Sequence, residues 1–452
     1  MPIKYAQTGR RTTHSDPVHL ESIHPEVVVP VASNLDDTIS GGKLLTAFGD
    51  SASIDAFARL RVSNPAGLFD GQLQYDLHRI LWQDKVTNNS GSASATHQAN
   101  ESSADLTVGA NDTIIRQTRS YMRYQPGKSQ LVMVTFVLGA GVADVEQKVG
   151  YFDADNGIFL NYDGTTANIV RRTKTSGSVV DNSVAQADWN VDKMNGAGPS
   201  GINLDFTKSQ ILLIDMEWLG VGRVRIGFVV DGIPVYCHEF RNANSLDTVY
   251  MTTANLPVRY EISAAVGVTG THTLQCVCAQ VSSEGGFELA RGLTFSATNG
   301  RTTRSIGTSE VPLVSIRPKS TFNSIVNRGL IVTEAVSIFS EDQPAYYKIV
   351  YGGTLTNASF NSVNDDSIVD YDVAATAISG GIEIMTDYVA TGQSSRGSGA
   401  ELRQLSSLMP MFLDIDGNHP ASPYTDSLSL VAVSMVAQST DMSGAIMWRE
   451  VR

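Results

Sequence analysis

A Gly-Lys-Ser triplet is one of three stretches in this sequence whose residue types could perform chemistry. Gly127-Lys128-Ser129 matches the end of a Walker A motif, in which backbone N–H groups and a Lys bind phosphates. The Gly that the motif needs five residues before Gly127 is replaced by Met122, and the flanking patterns are those of two strands. A phosphate cradle needs the N-terminus of a helix. The triplet therefore predicts a turn and no phosphate site.

Two Asp-rich stretches have the residue types of a short calcium loop. Asp153-Ala154-Asp155-Asn156-Gly157 and Asp414-Ile415-Asp416-Gly417-Asn418 both place carboxylates at one-residue spacing before a Gly. Carboxylates at this spacing can share one hard cation, but no Glu stands at the position that closes an EF-hand. Asp and Asn before Gly are also ordinary turn residues. We interpret both stretches as turns and predict no metal and no cofactor.

The cysteines and histidines form no recognisable catalytic or metal-binding pattern. Cys237, His238 and Glu239 are consecutive, but neighbours in a strand point to opposite faces, so their side chains do not converge. The other two cysteines are Cys276 and Cys278, and three cysteines at these spacings give neither a disulfide framework nor a four-ligand zinc site. We interpret all three as small buried hydrophobic residues of a protein made in a reducing cytoplasm.

No catalytic residue is predicted, and no particular binding residue is assigned. The sequence lacks the Gly-x-Ser-x-Gly elbow of hydrolases. A pair of carboxylates brought together from distant strands, as in glycosidases, remains open. Tyr346, Tyr347 and Tyr351 suit either stacking on sugars or packing across strands.

The composition favours an all-β protein that neither binds nucleic acid nor inserts into a membrane. Charged residues make up 17% of the 452 residues, below the usual share of about 25%. The 39 Gly suit many short strands and turns. A net charge of −13 makes nucleic-acid phosphates poor partners. No run reaches the ~20 apolar residues of a membrane span, and no secretory signal pattern opens the chain.

The stretch from Gln210 to Phe240 has the clearest strand pattern and predicts three antiparallel strands. Apolar residues alternate with polar ones along 210–218 and 224–230, which indicates one buried and one solvent-exposed face. A three-residue loop, Gly220-Val221-Gly222, would place Met216 opposite Ile226, and on the outer face Glu217 opposite Arg225 as an ion pair. Asp231-Gly232 predicts a second tight hairpin, with Val235 opposite Phe228 and Cys237 opposite Ile226.

Similar patterns before and after this stretch predict an antiparallel β-sandwich or jelly roll with about ten strands over residues 49–291. We expect hairpins around residues 125–128, around Asp163-Gly164 and around Gly270, and a long loop with a short helix over 176–204. A second, smaller β domain is expected over 292–452, with 294–307 as a linker. Residues 1–48 have the pattern of an extended N-terminal arm that lies on the body or on a neighbouring subunit, and their composition suits a disordered tail equally well.

Several segments stand in the same order as in a group of viral proteins. They are 55–63, 68–70, 149–153 with Asn156-Gly157, 169–172, 176–181, 198–201, 217–225 and 235–240. Together they make residues 50–265 resemble virion structural proteins of tailed bacteriophages, which have relatives in marine viral sequences. The resemblance implies a non-enzymatic particle component, assembled in the host bacterial cytoplasm and located in the virion. It brings no catalytic residues.

Three functions are consistent with the sequence. The first is a structural part of a phage tail, baseplate, fibre or capsid surface, with other virion proteins and further copies of itself as partners. A trimer is preferred by analogy with phage appendages. The second is a lectin-like module that recognises host surface glycans, with a site in the loops around 176–201. The third is a polysaccharide depolymerase, which would need carboxylates converging in a groove.

Overall fold

The fold is taken from a computed structural model. The model describes residues 27–28, 39–40, 43–44, 47–48, 54–56, 65–288, 292–390, 400–404, 411–420 and 427–452. The described chain is built from antiparallel β-sheets, as the sequence predicts, with one single-turn 3₁₀ helix at Gln186–Asp188. That turn lies where a short helix is expected.

Four two-residue strands lie within the region predicted as an arm. They are β1 (Val27–Val28), β2 (Ile39–Ser40), β3 (Lys43–Leu44) and β4 (Ala47–Phe48). β1 pairs with β4 and β2 with β3, both antiparallel. The position of the arm relative to the body or to a neighbouring subunit stays a prediction, as do the boundaries 1–48, 49–291 and 292–452.

Fifteen strands then form a two-sheet sandwich, which we call the first sandwich. They are β5 (Ala66–Gly71), β6 (Trp82–Thr87), β7 (Ser94–Gln98), β8 (Ser103–Val108), β9 (Thr113–Thr118), β10 (Ser129–Val137), β11 (Val145–Phe152), β12 (Gly157–Tyr162), β13 (Ala167–Thr173), β14 (Val180–Ala185), β15 (Gln210–Met216), β16 (Val224–Val230), β17 (Ile233–Phe240), β18 (Val258–Ala264) and β19 (His272–Glu284).

Sheet A has eight strands in the order β17-β16-β15-β10-β19-β8-β7, with β5 also pairing with β19. Sheet B has seven in the order β14-β13-β12-β11-β18-β9-β6. Alternate residues of both sheets meet in one apolar core, as in Val132, Val134 and Phe136 of β10, because side chains in a strand alternate between faces. The chain crosses repeatedly between the sheets, which is typical of jelly rolls.

These crossings overturn two predicted hairpins. The turn at Gln125-Pro126-Gly127-Lys128 exists, with the Lys128 N–H donating to the Gln125 carbonyl, but it joins β9 of sheet B to β10 of sheet A. Likewise β18 and β19, on either side of Gly270, lie in different sheets. Strand pattern and turn chemistry alone do not distinguish a hairpin from a connection between sheets. The hairpin around Asp163-Gly164 is confirmed, since β12 pairs with β13.

The central hairpins are confirmed, but their registers differ from prediction. Met216 pairs with Val224 rather than Ile226, because the turn is centred on Gly220 and not on Val221: the Gly222 N–H donates to the Trp218 carbonyl and the Glu217 N–H to the Arg223 carbonyl. The residue opposite Arg225 is therefore Asp215 and not Glu217. Beyond the Asp231-Gly232 turn, Val235 does lie opposite Phe228, but a bulge then pairs Ile226 with His238. A bulge inserts one extra residue and shifts all later pairs.

The outer face of sheet A over β15 and β16 is buried, although the alternation predicts exposure to solvent. Ile54, Asp55 and Ala56 lie over it and are each about 5% exposed or less. Arg225 donates to the Ile54 carbonyl at 2.6 Å and to Asp215 at 2.5 Å. The segment that precedes the first sandwich therefore covers an ion pair on its outer face.

The remaining fifteen strands form a second sandwich with its own core, which includes Leu313, Ile349, Leu430 and Trp448. They are β20 (Leu293–Thr298), β21 (Arg304–Ile306), β22 (Val311–Pro318), β23 (Thr321–Phe322), β24 (Ile325–Val326), β25 (Leu330–Ser340), β26 (Ala345–Tyr351), β27 (Thr354–Thr356), β28 (Asn361–Ser362), β29 (Val369–Asp372), β30 (Ala377–Ser379), β31 (Ile382–Val389), β32 (Ala400–Gln404), β33 (Leu428–Ser434) and β34 (Thr440–Val451).

Its larger sheets are β20-β34-β25-β32 with β21 on β34, and β28-β29-β22-β33-β26-β31. Residues 294–307, expected to be a linker, are instead part of this sandwich: β20 and β21 both pair with β34. Their high content of Thr, Ser and Asn is typical of a linker. The long strand β34 supplies the apolar partners that order them.

Candidate functional site

A polar cleft of about 450 Å³ lies between the two sandwiches and is our candidate site. Its walls come from the 77–86 segment of the first sandwich, from Arg119, and from the 414–420 loop of the second. Leu77, Val86 and Ala95 supply apolar lining. Ligand sites are commonly concave, lie between domains and combine apolar walls with a few convergent polar groups.

One carboxylate in this cleft is held firmly by an arginine behind it. Arg116 is fully buried, and its Nη1 contacts both oxygens of Asp84, at 2.6 and 2.8 Å. The Arg116 Nη2 donates to the Leu77 carbonyl at 2.5 Å, and the guanidinium lies over the Trp82 ring. Asp84 keeps 15% of its side chain exposed. This arrangement fixes an acceptor at the wall of the cleft.

The opposite wall is positioned by contacts across the junction. The Ile415 N–H donates to Gln83 Oε1 at 3.2 Å, and Lys85 contacts Asp416 at 2.6 Å. Arg328 donates to the carbonyls of Asp414 and Ile415, at 2.8 and 3.1 Å. The 414–418 turn is thereby held against the first sandwich.

Four side chains lining the cleft have hydrogen-bonding capacity left for a ligand. The amide N–H₂ of Gln83 and the guanidinium of Arg79 have no partner among the described residues. One oxygen of Asp414 accepts the Asn418 N–H, which leaves the other for a ligand. Together with Asp84 the cleft offers two donors and two acceptors. Such a set can bind a molecule that carries several hydroxyl groups.

A second group of charged residues, on the outer face of sheet B, is satisfied internally. Arg172 contacts both oxygens of Asp181 at 2.8 Å, and Lys148 contacts Glu146 and Glu261 at 2.6 and 3.3 Å. Burial would raise the pKa of Glu261, but Arg259 and Lys148 lower it below its usual value. These charges cap Phe152, Phe159 and Val170, which are each 2% exposed or less. The group stabilises the sheet and offers little to a ligand.

The three stretches singled out in the sequence are used within the fold. Lys128 donates to Gln125 Oε1 and to the Gly286 carbonyl, as part of a turn. Asp153 Oδ1 accepts the N–H groups of Asp155 and Asn156, both at 2.8 Å. The described residues bring together no cluster of three or more His, Cys, Asp or Glu that could hold a metal.

The Cys-His-Glu run does not converge. Cys237 faces the core, where burial raises the pKa of its thiol well above the usual value. His238 Nδ1 accepts the Asn190 N–H at 3.3 Å, and burial lowers the pKa of this His. Cys276 is buried as expected, but Cys278 is exposed, which corrects the interpretation of all three cysteines as buried. The β19 strand shifts register beside Cys278, so the alternation counted from Cys276 fails there.

Residues 176–204, predicted as a long loop and a place for a sugar site, are only partly a loop: they include β14, which pairs with β13, and the 3₁₀ turn, and the rest folds back onto the first sandwich. Trp189 is 3% exposed and stacks on Phe228. Asp192 accepts the N–H groups of Met194 and Ser200 at 2.8 and 2.7 Å. Asn190 exchanges hydrogen bonds with Glu239 and so covers the edge strand β17. The side chains of Asn190 and Asp192 are thus engaged within the fold, so we place the candidate site in the cleft.

Tyr347 and Tyr351 are buried, and Tyr346 is partly exposed between its cross-strand neighbours Tyr388 and Val433. The packing interpretation therefore holds for the first two.

Of the cleft's polar residues, only Asp414 stands out in the sequence, as part of a stretch with the residue types of a calcium loop; Arg79, Gln83 and Asp84 do not. The four come from segments more than 300 residues apart, and no local pattern marks them as one site.

No family model and no curated protein matches the chain. Solved structures of similar shape include a putative β-glucanase from Mycobacterium abscessus, 10% identical, with 48% of this chain and 100% of that one covered and a TM-score of 0.33. Arcelin-5, a lectin-like defence protein from Phaseolus vulgaris, is 12% identical, with coverage of 50% and 99% and a TM-score of 0.30. A protein of unknown function from Shewanella oneidensis is 9% identical, with coverage of 48% and 87% and a TM-score of 0.33. Scores this low show nothing about what this chain binds.

Among the described residues there is no helix with the length and hydropathy needed to span a membrane.

Proposed function

We propose that this protein is a non-catalytic glycan-binding protein and that the glycan occupies the cleft between the two sandwiches. The observation that carries the proposal is the set of four polar groups in the cleft, from Arg79, Gln83, Asp84 and Asp414. Sugar hydroxyls donate and accept at once, so paired acceptors and donors suit them. The apolar wall suits the C–H face of a sugar ring. The cleft volume lies within the usual range for ligand sites, about 300–1,000 Å³.

Binding without hydrolysis is favoured by the state of the carboxylates. A glycosidase uses one carboxyl as a proton donor and a second as nucleophile or base. Both oxygens of Asp84 are already contacted by Arg116. A chain that released reducing sugars from a host polysaccharide would be a depolymerase instead, and the same purified protein tests this.

The experiment is a glycan array followed by calorimetry on the full chain. We expect at least one host-surface glycan to bind. Arg79→Gln should weaken that binding about tenfold or more, since a hydrogen bond to a charged group contributes about 1.5–3 kcal/mol. Val86→Phe should weaken it too, because Val86 lines the cleft and is 43% exposed.

Matched controls are Arg301→Gln and Val266→Phe. Arg301 is an exposed arginine, and Val266 is 81% exposed. Both lie outside the cleft and should leave affinity unchanged. Absence of any binding glycan, or affinity unaffected by both cleft variants, would overturn the proposal.

We propose as a second candidate a structural role in a tailed-phage virion, which is compatible with glycan recognition by a phage appendage. It is supported by the resemblance over residues 50–265 and by the packing of Ile54–Ala56 on sheet A, which shows that the chain before the first sandwich can bind a sheet face. Light scattering and small-angle scattering of the full chain, beside a chain starting at Gly49, test it. A stable oligomer that needs the arm supports assembly, and monomers in both cases argue against it.

A further inference from the structure

A second cavity, of about 350 Å³, lies at the same junction and is predominantly apolar. From the first sandwich it is lined by Leu81 and Met122, from the connection to the second by Phe287, and from the second sandwich by Leu330 and Phe412. An apolar cavity of about 150 Å³ is enough to bind benzene. This cavity therefore has room for a hydrocarbon chain of several methylenes.

One charged group in the lining of this cavity stands out, that of Arg123. A bridge between Met122 and Leu256 fixes the backbone here, and Met122 and Tyr124 on either side belong to the core. Arg123 is thereby turned away from that core and toward the junction. Its guanidinium is half-buried, and burial lowers its pKa. Among the residues the structure describes, it has no hydrogen-bond or ion-pair partner.

The other arginines at the junction are engaged. Arg119 donates to the Arg79 carbonyl at 2.8 Å, and Arg328 donates to two carbonyls and lies over the Tyr121 ring at 4.3 Å. A guanidinium that is partly withdrawn from water and has no partner is unfavourable. An anion bound to Arg123 would supply the missing partner. The forked N–H groups of the guanidinium match the two oxygens of a carboxylate in particular.

We propose that this cavity binds a single-chain amphiphilic carboxylate. The carboxylate lies on Arg123, and the hydrocarbon chain lies among Leu81, Leu330 and Phe412. The site is distinct from the glycan cleft and does not depend on the glycan proposal. Charge complementarity selects the head group, and the apolar lining selects the chain.

The test is calorimetry on the full chain with four ligands: decanoate and octanoate below the concentrations at which they form micelles, decanol below its solubility limit, and acetate. Decanoate should bind. Octanoate should bind about fifteenfold more weakly, since it lacks two methylenes and each buried methylene changes affinity about fourfold. Decanol should bind about tenfold more weakly than decanoate because it has no charged head group. Acetate should not bind because it has no hydrocarbon chain.

Arg123→Met should lower decanoate affinity about tenfold and leave decanol affinity unchanged. Arg301→Met is the matched control, and Arg79→Gln, which alters only the glycan cleft, should leave decanoate binding intact. Equal affinity for decanoate and decanol in the unmodified chain would overturn the proposal even if Arg123→Met failed to fold. Tighter binding of decyl phosphate than of decanoate would overturn the carboxylate assignment.

Discussion

Tyr260 of sheet B reaches across the first sandwich and donates its hydroxyl to the carbonyl of Thr135 in sheet A, at 3.1 Å. The same hydroxyl lies 3.2 Å from the Cys278 carbonyl on the neighbouring strand. The two strands, β10 and β19, shift register at this point. A bulge leaves backbone groups without their ladder partners. Tyr260 satisfies them from the opposite sheet, so the irregularity in sheet A and the tyrosine in sheet B form one structural unit.

Tyr260→Phe should lower the free energy of unfolding by about 1–3 kcal/mol, because it leaves buried carbonyl groups without a donor. Urea denaturation followed by tryptophan fluorescence measures the change. Tyr75→Phe is the matched control, since Tyr75 is 85% exposed. Equal stability of the two variants would show that the hydroxyl contributes nothing.

For the buried pair of Asp215 and Arg225 we expect a larger loss of unfolding free energy than for Tyr260→Phe. Both side chains are 2% exposed or less, and Tyr236 also donates to Asp215 at 2.9 Å. Asp215→Ala should cost about 3–5 kcal/mol, because it removes the Asp215 carboxylate from a buried ion pair. Thermal or urea unfolding of the full chain is the measurement.

Lys174→Ala provides the control for this pair. Lys174 contacts Asp155 at 2.9 Å, but both side chains are more than 40% exposed. Exposed pairs contribute about 0–1 kcal/mol. If Asp215→Ala cost no more than Lys174→Ala, the segment at Ile54–Ala56 would not bury the pair in solution.

The shifted pKa of Asp112 leads us to expect that the stability of the protein depends on pH. Burial alone would raise its pKa, but a hydrogen bond from the Ser90 hydroxyl and backbone N–H groups of Ser90, Gly109 and Asn89 lower the pKa to about 2. A folded pKa below the unfolded value of about 3.9 means that Asp112 contributes stability above that value. The contribution should be lost as pH falls through about 4 toward 2.

The measurement compares the unmodified chain with Asp112→Asn in urea at several pH values. The difference in unfolding free energy should be constant from pH 7 to about pH 5 and should shrink below about pH 4. A difference that did not change with pH would mean that the Asp112 carboxylate is not stabilised by these N–H groups.

How far the sequence predicts this fold depends on how local each feature is. Asp231-Gly232 sets its own hairpin, and Val235 lies opposite Phe228 as expected, because the turn residues determine that register. Two residues further along, at Ile226, the bulge shifts the pairing of β16 with β17, and no residue pattern in the sequence indicates this bulge. The alternation in 210–230 shows which residues share a face, but the segment that buries the outer face, Ile54–Ala56, is more than 150 residues away.

The cleft could not be predicted from local sequence patterns either, because its walls come from segments that are far apart in the chain. Gln83 and Asp414 meet only because two sandwiches dock, and each residue alone is an ordinary polar residue of an edge strand or a turn. The Asp414 turn has the residue types of a cation loop in the sequence, and we interpret it as a turn. Its backbone chemistry was predicted correctly, while its place opposite Gln83 was not accessible from spacing.

Arg328 links the second sandwich to the first without lining the proposed glycan cleft, and its contacts lead to the last prediction. Its two bonds to the carbonyls of Asp414 and Ile415 hold the loop that forms one wall, and its stacking on Tyr121 fixes it to the first sandwich. Arg328→Ala should loosen this wall and weaken glycan binding about tenfold, because hydrogen bonds to charged groups contribute about 1.5–3 kcal/mol. Calorimetry measures the affinity, and small-angle scattering should show a larger radius of gyration. Arg301→Ala is the control. Full affinity with an enlarged radius would mean that the glycan contacts one sandwich only, and the cleft would then not be the site.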